Sequence, residues 1–351
     1  MISLVSTVFN DRKGLEIFIQ SMLLQTMKPD EIVIVDAGSK DGTWELLQEE
    51  SARTDRPWSL RALQEARCNV ARGRDQAIAA SSGDIIVSTD IGCDWDPEWL
   101  AELVHPLLED SALELVNGSW DVRKDGLHGP WALAEWALKG DQKFEGTADC
   151  YPSSRSIAYR RNVWKALGGY PEDLTLAGDD AVFDFLIEKA EVHRVGAPVV
   201  RCHWHRHESL RAFFRESWRY GLGDGEALIR LRDVALIGGR LAFDIMSLIS
   251  GIVLVASANS IAVPVGGFLL LCCAISTGIR ILRLRPARRR LAGEGVRYPM
   301  GRLLLLSYGT KVFWLRGYLM GVIRGRRNCR SCRHRLRTMT PRVYRESMKR
   351  D

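Results

Sequence analysis

The sequence predicts an α/β protein built on a doubly wound sheet, followed by an apolar helical hairpin and a basic tail. Three observations carry this prediction. The first 100 residues alternate strand-like and helix-like segments, which is the order of a sheet covered by helices on both faces. Two apolar runs between residues 241 and 281 are each close to the roughly 20 residues that a membrane-spanning helix needs. Beyond these runs the chain becomes strongly basic.

The N-terminal segments follow one another in a regular order. ISLVSTVF forms the first strand, and apolar residues then recur at helical spacing until Pro29. EIVIVD is apolar on both faces, which is typical of a strand in a covered parallel sheet. The helix WELLQEE, a short strand at residues 59–63, the helix ARGRDQAIAASS and the strand DIIVST continue the alternation. This order implies right-handed crossovers between parallel strands.

Carboxylates stand at the ends of two of these strands. Asp36 closes EIVIVD, and Asp90 follows DIIVST. Ligands of doubly wound sheets bind at the carboxyl ends of the strands, and a carboxylate there is costly unless a positive group meets it. A divalent ion is the simplest partner for Asp90. A later helix, LAGDDAVFDFLIEKA, opens with Asp179 and Asp180, a residue type that is favoured at helix N-termini.

The two apolar runs, LAFDIMSLISGIVLVASA and SIAVPVGGFLLLCCAISTGI, are separated by the dipeptide NS. Arginines flank only their outer ends, at positions 230, 232 and 240 before and 280, 283 and 285 after. The positive-inside rule then predicts a multi-pass protein of the cell membrane with the N-terminal domain and the C-terminus in the cytoplasm. The alternative is a pair of buried helices in a soluble bundle. A lone apolar pair without other helical partners fits that alternative poorly.

The C-terminal segment is basic, with 21 Lys and Arg against 3 Asp and Glu from Arg280 onward. Such a tail suits an anionic surface, either membrane phosphate or nucleic acid. The apolar stretch at residues 301–327 is studded with basic residues and predicts an interfacial helix on anionic lipid. A third span is disfavoured by the central Lys311 and Arg316. We therefore divide the chain into a catalytic domain at 1–230, a hairpin at 231–285, and an interfacial helix with a basic tail at 286–351.

The eight cysteines are scattered and do not resemble a disulfide framework, which favours a reducing compartment. Cys329 and Cys332 form one CxxC pair. A zinc site usually needs a second pair or added histidines. Two thiols without a metal are therefore the preferred interpretation.

Four segments in order resemble the family 2 glycosyltransferases of the GT-A fold. They are STVFNDRKGLEIFIQSMLLQT with DEIVIVDAGSKDGT, GRDQAI, GDIIVSTDIGCDWDPEWL and GGYPEDLTLAGDDAVF, and the resemblance covers roughly residues 1–225. The hairpin resembles the membrane-anchored bacterial members. Asp90 matches the first carboxylate of the family's DXD motif. Here that motif is Asp90, Ile91 and Gly92, a TDAGC-like variant without the second carboxylate.

The resemblance implies a donor-binding set. Its residues are Thr7, Phe9, Asn10, Asp36, Gly38, Ser39, Asp41, Arg72, Arg74 and Asp90. Asp36 matches the carboxylate that hydrogen-bonds the base of the nucleotide, and it equally suits a turn cap, because Asp and Ser favour such loops. Arg74 matches an arginine that faces the donor diphosphate, and Arg72 is the nearby alternative. Asp75 stands where that motif usually has asparagine.

A metal ion and a pair of catalytic carboxylates are also implied. Asp90 would hold Mg²⁺ or Mn²⁺, which take few carboxylates and keep positions for phosphate oxygens. His203 and His205 share one face of a strand and are candidates for a further ligand, or for a structural role. Asp179 and Asp180 match the family's acidic pair. Asp180 would act as the general base in an inverting displacement, whereas its purely structural interpretation is an N-cap.

These features predict an inverting transferase that moves a sugar from a nucleotide-diphosphate sugar to a lipid-linked or glycan acceptor in cell-envelope polysaccharide synthesis. A processive polysaccharide synthase is one alternative, because Glu216, Arg219 and Tyr220 partly resemble the Gln, Arg, Trp motif of those enzymes. A catalytically silent nucleotide-sugar binder is another, because Gly92 replaces the second carboxylate. Anionic membrane lipids are expected partners of the tail. Nucleic acid is not, because the tail lacks aromatic interleaving.

Overall fold

The computed structural model describes residues 1–124, 126–139, 143–144 (backbone only) and 153–349. The strands are β1 Ile2–Val8, β2 Glu31–Asp36, β3 Ser59–Gln64, β4 Ile85–Thr89, β5 Cys93–Trp95, β6 Leu115–Asp121, β7 Lys143–Phe144, β8 Ser156–Arg160 and β9 Arg194–Trp204. The helices are α1 Arg12–Leu24, α2 Thr43–Ser51, α3 Val70–Ala80, α4 Trp99–Glu109, α5 Pro130–Lys139, α6 Arg161–Leu167, α7 Asp179–Ala190, α8 Leu210–Ala227, α9 Leu231–Ala256, α10 Ala262–Gly293, α11 Met300–Asn328, α12 Arg330–Thr338 and α13 Pro341–Met348.

The strands form one mixed sheet in the order β3-β2-β1-β4-β8-β6-β9-β5, with β7 beside β6. The N-terminal strands β1 to β4 are parallel, and β8 runs antiparallel to both β4 and β6. Val8 pairs with Asp36, and Val5 pairs with Ser88. The ends of β1, β2 and β4 therefore meet at one edge of the sheet. The predicted α/β fold is confirmed, and the sheet is mixed because β8 is antiparallel to its neighbours.

The sheet separates two apolar cores, because alternate residues of each strand point to opposite faces. Leu4, Ile32 and Val87 face one core, together with α1 and α4. The opposite core contains Val5, Val33 and Ile86, residues of α6 and α7, and the C-terminal side chains Cys329, Cys332, Leu336, Met339 and Tyr344. The helices α12 and α13 thus pack against the N-terminal domain. The proposed boundary at residue 286 remains a prediction, and the structure adds this contact between the first and last segments.

The helices α8 and α11 cross at very short range because glycines line both of them. A Cβ on Gly221 would lie 1.9 Å from the carbonyl oxygen of Trp314, and a Cβ on Gly317 would lie 2.2 Å from that of Trp218. Larger residues at these positions would force the backbones apart. One face of the predicted interfacial helix is therefore packed on α8. Apolar side chains of α11, such as Leu319 and Ile323, are exposed elsewhere on the helix.

The helices α9 and α10 form the expected apolar pair, and both are long and apolar enough to cross a membrane. Only 11% and 6% of their most apolar windows are buried, which disfavours the alternative of core helices in a soluble bundle. Gly251 and Gly266 allow the two backbones to approach, since a Cβ on Gly266 would lie 2.8 Å from the Gly251 carbonyl oxygen. Asp244 forms an ion pair with Arg280 between the helices. The pair suggests membrane association.

Candidate active site

A cleft of about 1670 Å³ opens at the sheet edge where β1, β2 and β4 end. Thr7, Phe9 and Gly38 line it on the side of β1 and β2. Its opposite wall comes from α8, from the start of α9 and from α11, and includes Trp314. Asp90 lies in the wall between these two sides at the end of β4. The cleft therefore extends from the N-terminal sheet to the base of the hairpin.

Arg74 is the centre of the charged cluster in this cleft. The side chain is 2% exposed, and its guanidinium contacts the carboxylates of Asp90, Asp179 and Asp180. Nη1 lies 2.9 Å from Oδ1 of Asp180. Burial alone would lower the pKa of Arg74, but the three carboxylates outweigh burial and raise that pKa well above its ordinary value. Arg74 therefore stays charged.

Packing at the start of α3 holds Arg74 in place. Asn69 caps this helix by accepting a hydrogen bond from the backbone N–H of Arg72 at 2.8 Å. Gly73 lets the helix approach β1, because a Cβ there would lie 2.7 Å from Cγ2 of Thr7. The ring of Tyr170 lies on the other side, with its centroid 5.4 Å from the Arg74 guanidinium carbon.

The paired aspartates open α7. The N-cap of this helix is Gly178, with φ +96°, and Asp179 and Asp180 occupy the first turn. Asp180 is therefore not the N-cap, although the helix N-terminus still favours its charge. Burial, with repulsion from Asp180, raises the pKa of Asp179 well above its ordinary value in spite of Arg74. The two neighbouring carboxylates thus have different environments, and Asp180 is the more exposed of the two.

Arg155 is a second cation beside Asp90, and the sequence motifs did not indicate it. Its Nε lies 3.8 Å from Oδ2 of Asp90. Its guanidinium lies 4.0 Å from the ring centroid of Trp204 and 4.7 Å from that of Trp120. An arginine between two aromatic rings is held rigidly and keeps its charge. The only signal in the sequence was its place just before a strand, in PSSRS.

The carboxylate of Asp36 caps the turn that follows it. It accepts hydrogen bonds from the backbone N–H groups of Gly38 and Ser39, both at 3.0 Å, and from Nε2 of Gln64 at 2.8 Å. The side chain is fully buried, whereas Gly38, with φ +90°, lines the cleft. This geometry matches the turn-cap interpretation. The role in binding the nucleotide base stays a prediction.

Asn10 and Asp41 form hydrogen bonds in the loops that follow β1 and β2, at this end of the cleft. Asn10, with φ +49°, accepts a hydrogen bond from the Lys40 N–H through its Oδ1 and donates its own N–H to Ser39 Oγ, both at 2.8 Å. Asp41 accepts the backbone N–H of Thr43 at 3.2 Å at the start of α2. The structure therefore brings Thr7, Phe9 and Gly38 to the cleft surface, and it places Asn10, Ser39 and Asp41 in the loops behind it.

Arg72 and the two predicted metal-binding histidines are not among the residues that line the cleft. Arg72 is exposed and pairs with Glu65 and Glu172 at the surface. His203 lies between Asp121, at 2.6 Å, and Asp96, at 3.2 Å. His205 contacts Asp94 at 2.8 Å. The role of these histidines as metal ligands stays a prediction.

The histidine that lines the cleft is His207, the third of the HWHRH segment. Its Nε2 lies 3.6 Å from Oε1 of Glu216 on α8. Strand alternation would place His207 on the same face as His203 and His205, but β9 ends at Trp204 and does not extend to His207.

Asp75 stabilises the segment that carries Tyr170. It accepts hydrogen bonds from Nε1 of Trp164 at 2.6 Å and from the backbone N–H of Tyr170 at 2.9 Å. Burial raises its pKa to about 6. These bonds fix the GGYPEDL segment and with it the Tyr170 ring beside Arg74. The sequence signalled this position only by an aspartate where the motif usually has asparagine.

Asp90 is a candidate ligand for a divalent cation. Its side chain is partly exposed in the cleft, as is that of Asp180, whereas Asp179 is buried. Within the described ranges, no three His, Cys, Asp or Glu side chains are grouped so as to hold a metal by themselves. Mg²⁺ and Mn²⁺ are commonly held by one or two carboxylates together with substrate phosphates. Asp90 fits that mode, with the remaining ligands coming from a bound diphosphate.

The mixed α/β sheet, with an acidic cleft at the edge where its first strands end, defines a protein of the GT-A fold class. Residues 3–167 match the family described as Glycosyl transferase family 2. The matched residues include most of the motifs that resemble this family, and the predicted resemblance is confirmed for this part of the chain.

Two known proteins extend this comparison. An uncharacterized glycosyltransferase of Nostoc sp. (strain PCC 7120), alr2836, is 25% identical over 169 residues, which are 46% of this chain and 51% of that protein. This chain thus matches only about half the length of that curated relative. The structure is similar to the mannosyltransferase PcManGT from Pyrobaculum calidifontis, solved in complex with GDP-Man and Mn²⁺. The TM-score is 0.54 at 19% identity, over 92% of this chain and 86% of that one. At this identity the likeness shows the fold alone.

Proposed function

We propose that this protein is an inverting glycosyltransferase that moves a sugar from a nucleotide-diphosphate sugar to a lipid-linked or glycan acceptor at the cytoplasmic face of a membrane. The cluster of Asp90, Asp179 and Asp180 around Arg74 is the observation that carries the proposal. It supports the proposal because a carboxylate that would bind a metal, a cation that would bind the diphosphate and a candidate base share one cleft.

The donor binds along the strand ends. Thr7, Phe9 and Gly38 form the surface for the nucleoside, and Arg74 and Arg155 face the diphosphate. Guanidinium groups pair well with phosphate oxygens. The nucleotide-sugar and the Mn²⁺ in the PcManGT complex support a nucleotide-sugar donor and a divalent ion for this cleft as well.

The reaction is a single displacement at the anomeric carbon. Asp180 takes the proton of the acceptor hydroxyl as its oxygen attacks, and the bond to the nucleoside diphosphate breaks on the opposite face of the sugar. Arg74 and Arg155 stabilise the negative charge that grows on the leaving group. A divalent ion at Asp90, when bound, supplies further charge neutralisation. One base and one displacement invert the configuration.

The acceptor side of the cleft faces the hairpin. Asp233 and Ile237 belong to the first turns of α9, and both line the cleft together with Arg230. A membrane-bound acceptor would therefore meet the donor where the apolar helices begin. The arginines that flank both outer ends of the hairpin favour a cytoplasmic location for the cleft and for the C-terminus.

Release of nucleoside diphosphate from a panel of nucleotide-sugars, with and without membrane lipid extract, tests this function. We expect release with one donor class only, stimulated by the extract and lost in Asp180→Asn. Donor binding without release under any condition would establish the silent binder instead. Products with many added sugars would establish the processive synthase.

A further inference from the structure

A second cavity of about 540 Å³ lies in the groove between α8 and α11. We call it the α8–α11 groove. Phe214 and Trp218 of α8 and Phe313 and Met320 of α11 form its apolar wall. Its volume is in the range of cavities that bind small molecules, roughly 300–1,000 Å³.

The packing of the two helices explains why this groove exists and keeps its shape. The glycine crossing brings the backbones together at Gly317, and the large side chains beside the crossing remain on the outer surface. The rings of Phe214 and Phe313 are stacked, with centroids 4.7 Å apart and an interplanar angle of 13°. Gly309 makes room for this stack, because a Cβ there would lie 2.3 Å from the Phe214 ring. The apolar wall of the groove is therefore preformed.

Three arginines border the groove: Arg211, Arg215 and Arg316. Among the described residues, no acidic side chain lines it. All three arginines are exposed. An apolar wall with a purely cationic rim is complementary to a molecule that combines a hydrocarbon chain with an anionic head.

Arg215 connects this groove to the catalytic cleft, because it lines both cavities. Within α8 it stands next to Phe214, which faces the groove, and Glu216, which faces the cleft. A ligand with its anion on Arg215 therefore has its chain on one side and its head group on the other. The head group would point toward the cleft that contains Asp180.

We infer that the α8–α11 groove binds the hydrocarbon chain of a phosphate-bearing lipid, with Arg215 pairing with the phosphate at the mouth of the catalytic cleft. This inference rests on the proposed function in one respect: the lipid is the acceptor, and a hydroxyl beyond its phosphate reaches Asp180. The exposed apolar side chains of α11 and the two apolar helices favour a lipid over a peptide or a nucleic acid.

Photolabelling of the full-length protein in phosphatidylcholine nanodiscs tests this site without any need for turnover. The probe is dodecyl phosphate with a diazirine at the end of its chain, and adducts are located by mass spectrometry. We expect adducts at Trp218, Phe313 and Met320. Excess dodecyl phosphate should remove them, whereas dodecanol and inorganic phosphate should not.

Two variants and a matched control sharpen the test. Arg215→Glu removes the phosphate partner and Met320→Trp fills the groove, so each should reduce these adducts at least about 10-fold, one decade being about 1.4 kcal/mol of binding free energy. Arg324→Glu carries the same charge change at an exposed position of α11 outside the groove, and it should label like the wild type. An unchanged thermal midpoint shows that each variant is folded.

The outcomes separate this inference from the proposed function. Adducts confined to the hairpin, or equal competition by dodecanol or by inorganic phosphate, would overturn the lipid-phosphate site. Normal nucleoside diphosphate release with no groove adducts would overturn it alone. Groove adducts in a protein that releases nucleoside diphosphate from no donor would support the site and refute the transferase.

Discussion

Arg74 and Asp180 form a direct contact at the centre of the cleft, with Nη1 of the arginine 2.9 Å from Oδ1 of the aspartate. The same guanidinium contacts Asp90 through its other terminal nitrogen. Guanidinium groups pair well with phosphate oxygens. A donor diphosphate bound to Arg74 would therefore lie next to the carboxylate that we propose as the base. In this way one arginine would connect the donor site with the proposed base.

The metal prediction concerns Asp90. Asp90→Asn removes the charge that would hold a divalent ion beside the diphosphate, and it leaves a side chain of the same shape. We expect almost complete loss of nucleoside diphosphate release, a loss of about 10²-fold or more. The wild-type enzyme should also need added Mg²⁺ or Mn²⁺ after chelation. Full turnover in excess chelator would contradict a metal at this position.

The pH prediction concerns Asp75. Burial raises its pKa from 3.8 to about 6, so the folded protein binds this proton more tightly than the unfolded chain does. Stability contributed by the neutral carboxyl is therefore lost as the pH rises from about 4 to about 6.

Asp75→Asn stays neutral and keeps an acceptor oxygen for Trp164 and Tyr170. Its thermal midpoint should fall less than the wild-type midpoint between pH 4.5 and pH 6.5, by an amount that corresponds to a free energy on the order of 1 kcal/mol. Asp224, whose pKa burial also raises to about 6, keeps part of the dependence in both proteins. Parallel pH profiles for the two proteins would show that Asp75 does not titrate as described.

The packing prediction concerns Gly317. Gly317→Leu pushes a side chain into the Trp218 carbonyl, which a Cβ alone would already approach to 2.2 Å. We expect a loss of folding free energy of at least about 1–3 kcal/mol, measured as a lower thermal midpoint. Gly301→Leu is the matched control on the same helix, because nothing lies within 4 Å of a Cβ there. Equal midpoints for the two variants would mean that the α8–α11 crossing is looser than described.

The membrane prediction concerns the hairpin. Its arginines lie only on the outer flanks, so both ends should remain in the cytoplasm. A topology reporter after Asp351 should report cytoplasm, and one inserted at Asn259, between α9 and α10, should report the far side. If salt alone extracted the full-length protein from membranes, α9 and α10 would not span the bilayer.

Much of the fold was predictable because its signals are local. Runs of apolar residues indicated β1, β2 and β4, and strand-end carboxylates marked the edge at Asp36 and Asp90. The contact between Arg74 and Asp180 joins positions that are 106 residues apart, and the family motifs named both of them.

Other features depend on contacts that no local pattern encodes. Arg155 reaches Asp90 only because β8 inserts next to β4 in the sheet. His207 lines the cleft, whereas His203 and His205 do not, and strand alternation could not distinguish the three because β9 ends at Trp204. The packing of α11 on α8 depends on glycines in both helices. A Cβ added at Gly221 or Gly317 would lie 1.9–2.2 Å from a carbonyl oxygen of the other helix. In the sequence alone, these glycines are equally compatible with a helix that lies on lipid, so the packing on α8 could not be predicted.

Donor affinity and turnover of Asp180→Asn, measured side by side, test the central claim most directly. The general base acts in the chemical step, and asparagine keeps the shape of the side chain. We predict a nucleotide-sugar affinity close to that of the wild type and a kcat lower by about 10²-fold or more. Asp179→Asn should lower kcat less, because that carboxylate is more buried than Asp180. A near-normal kcat for Asp180→Asn, in a protein that binds the donor normally, would contradict Asp180 as the base.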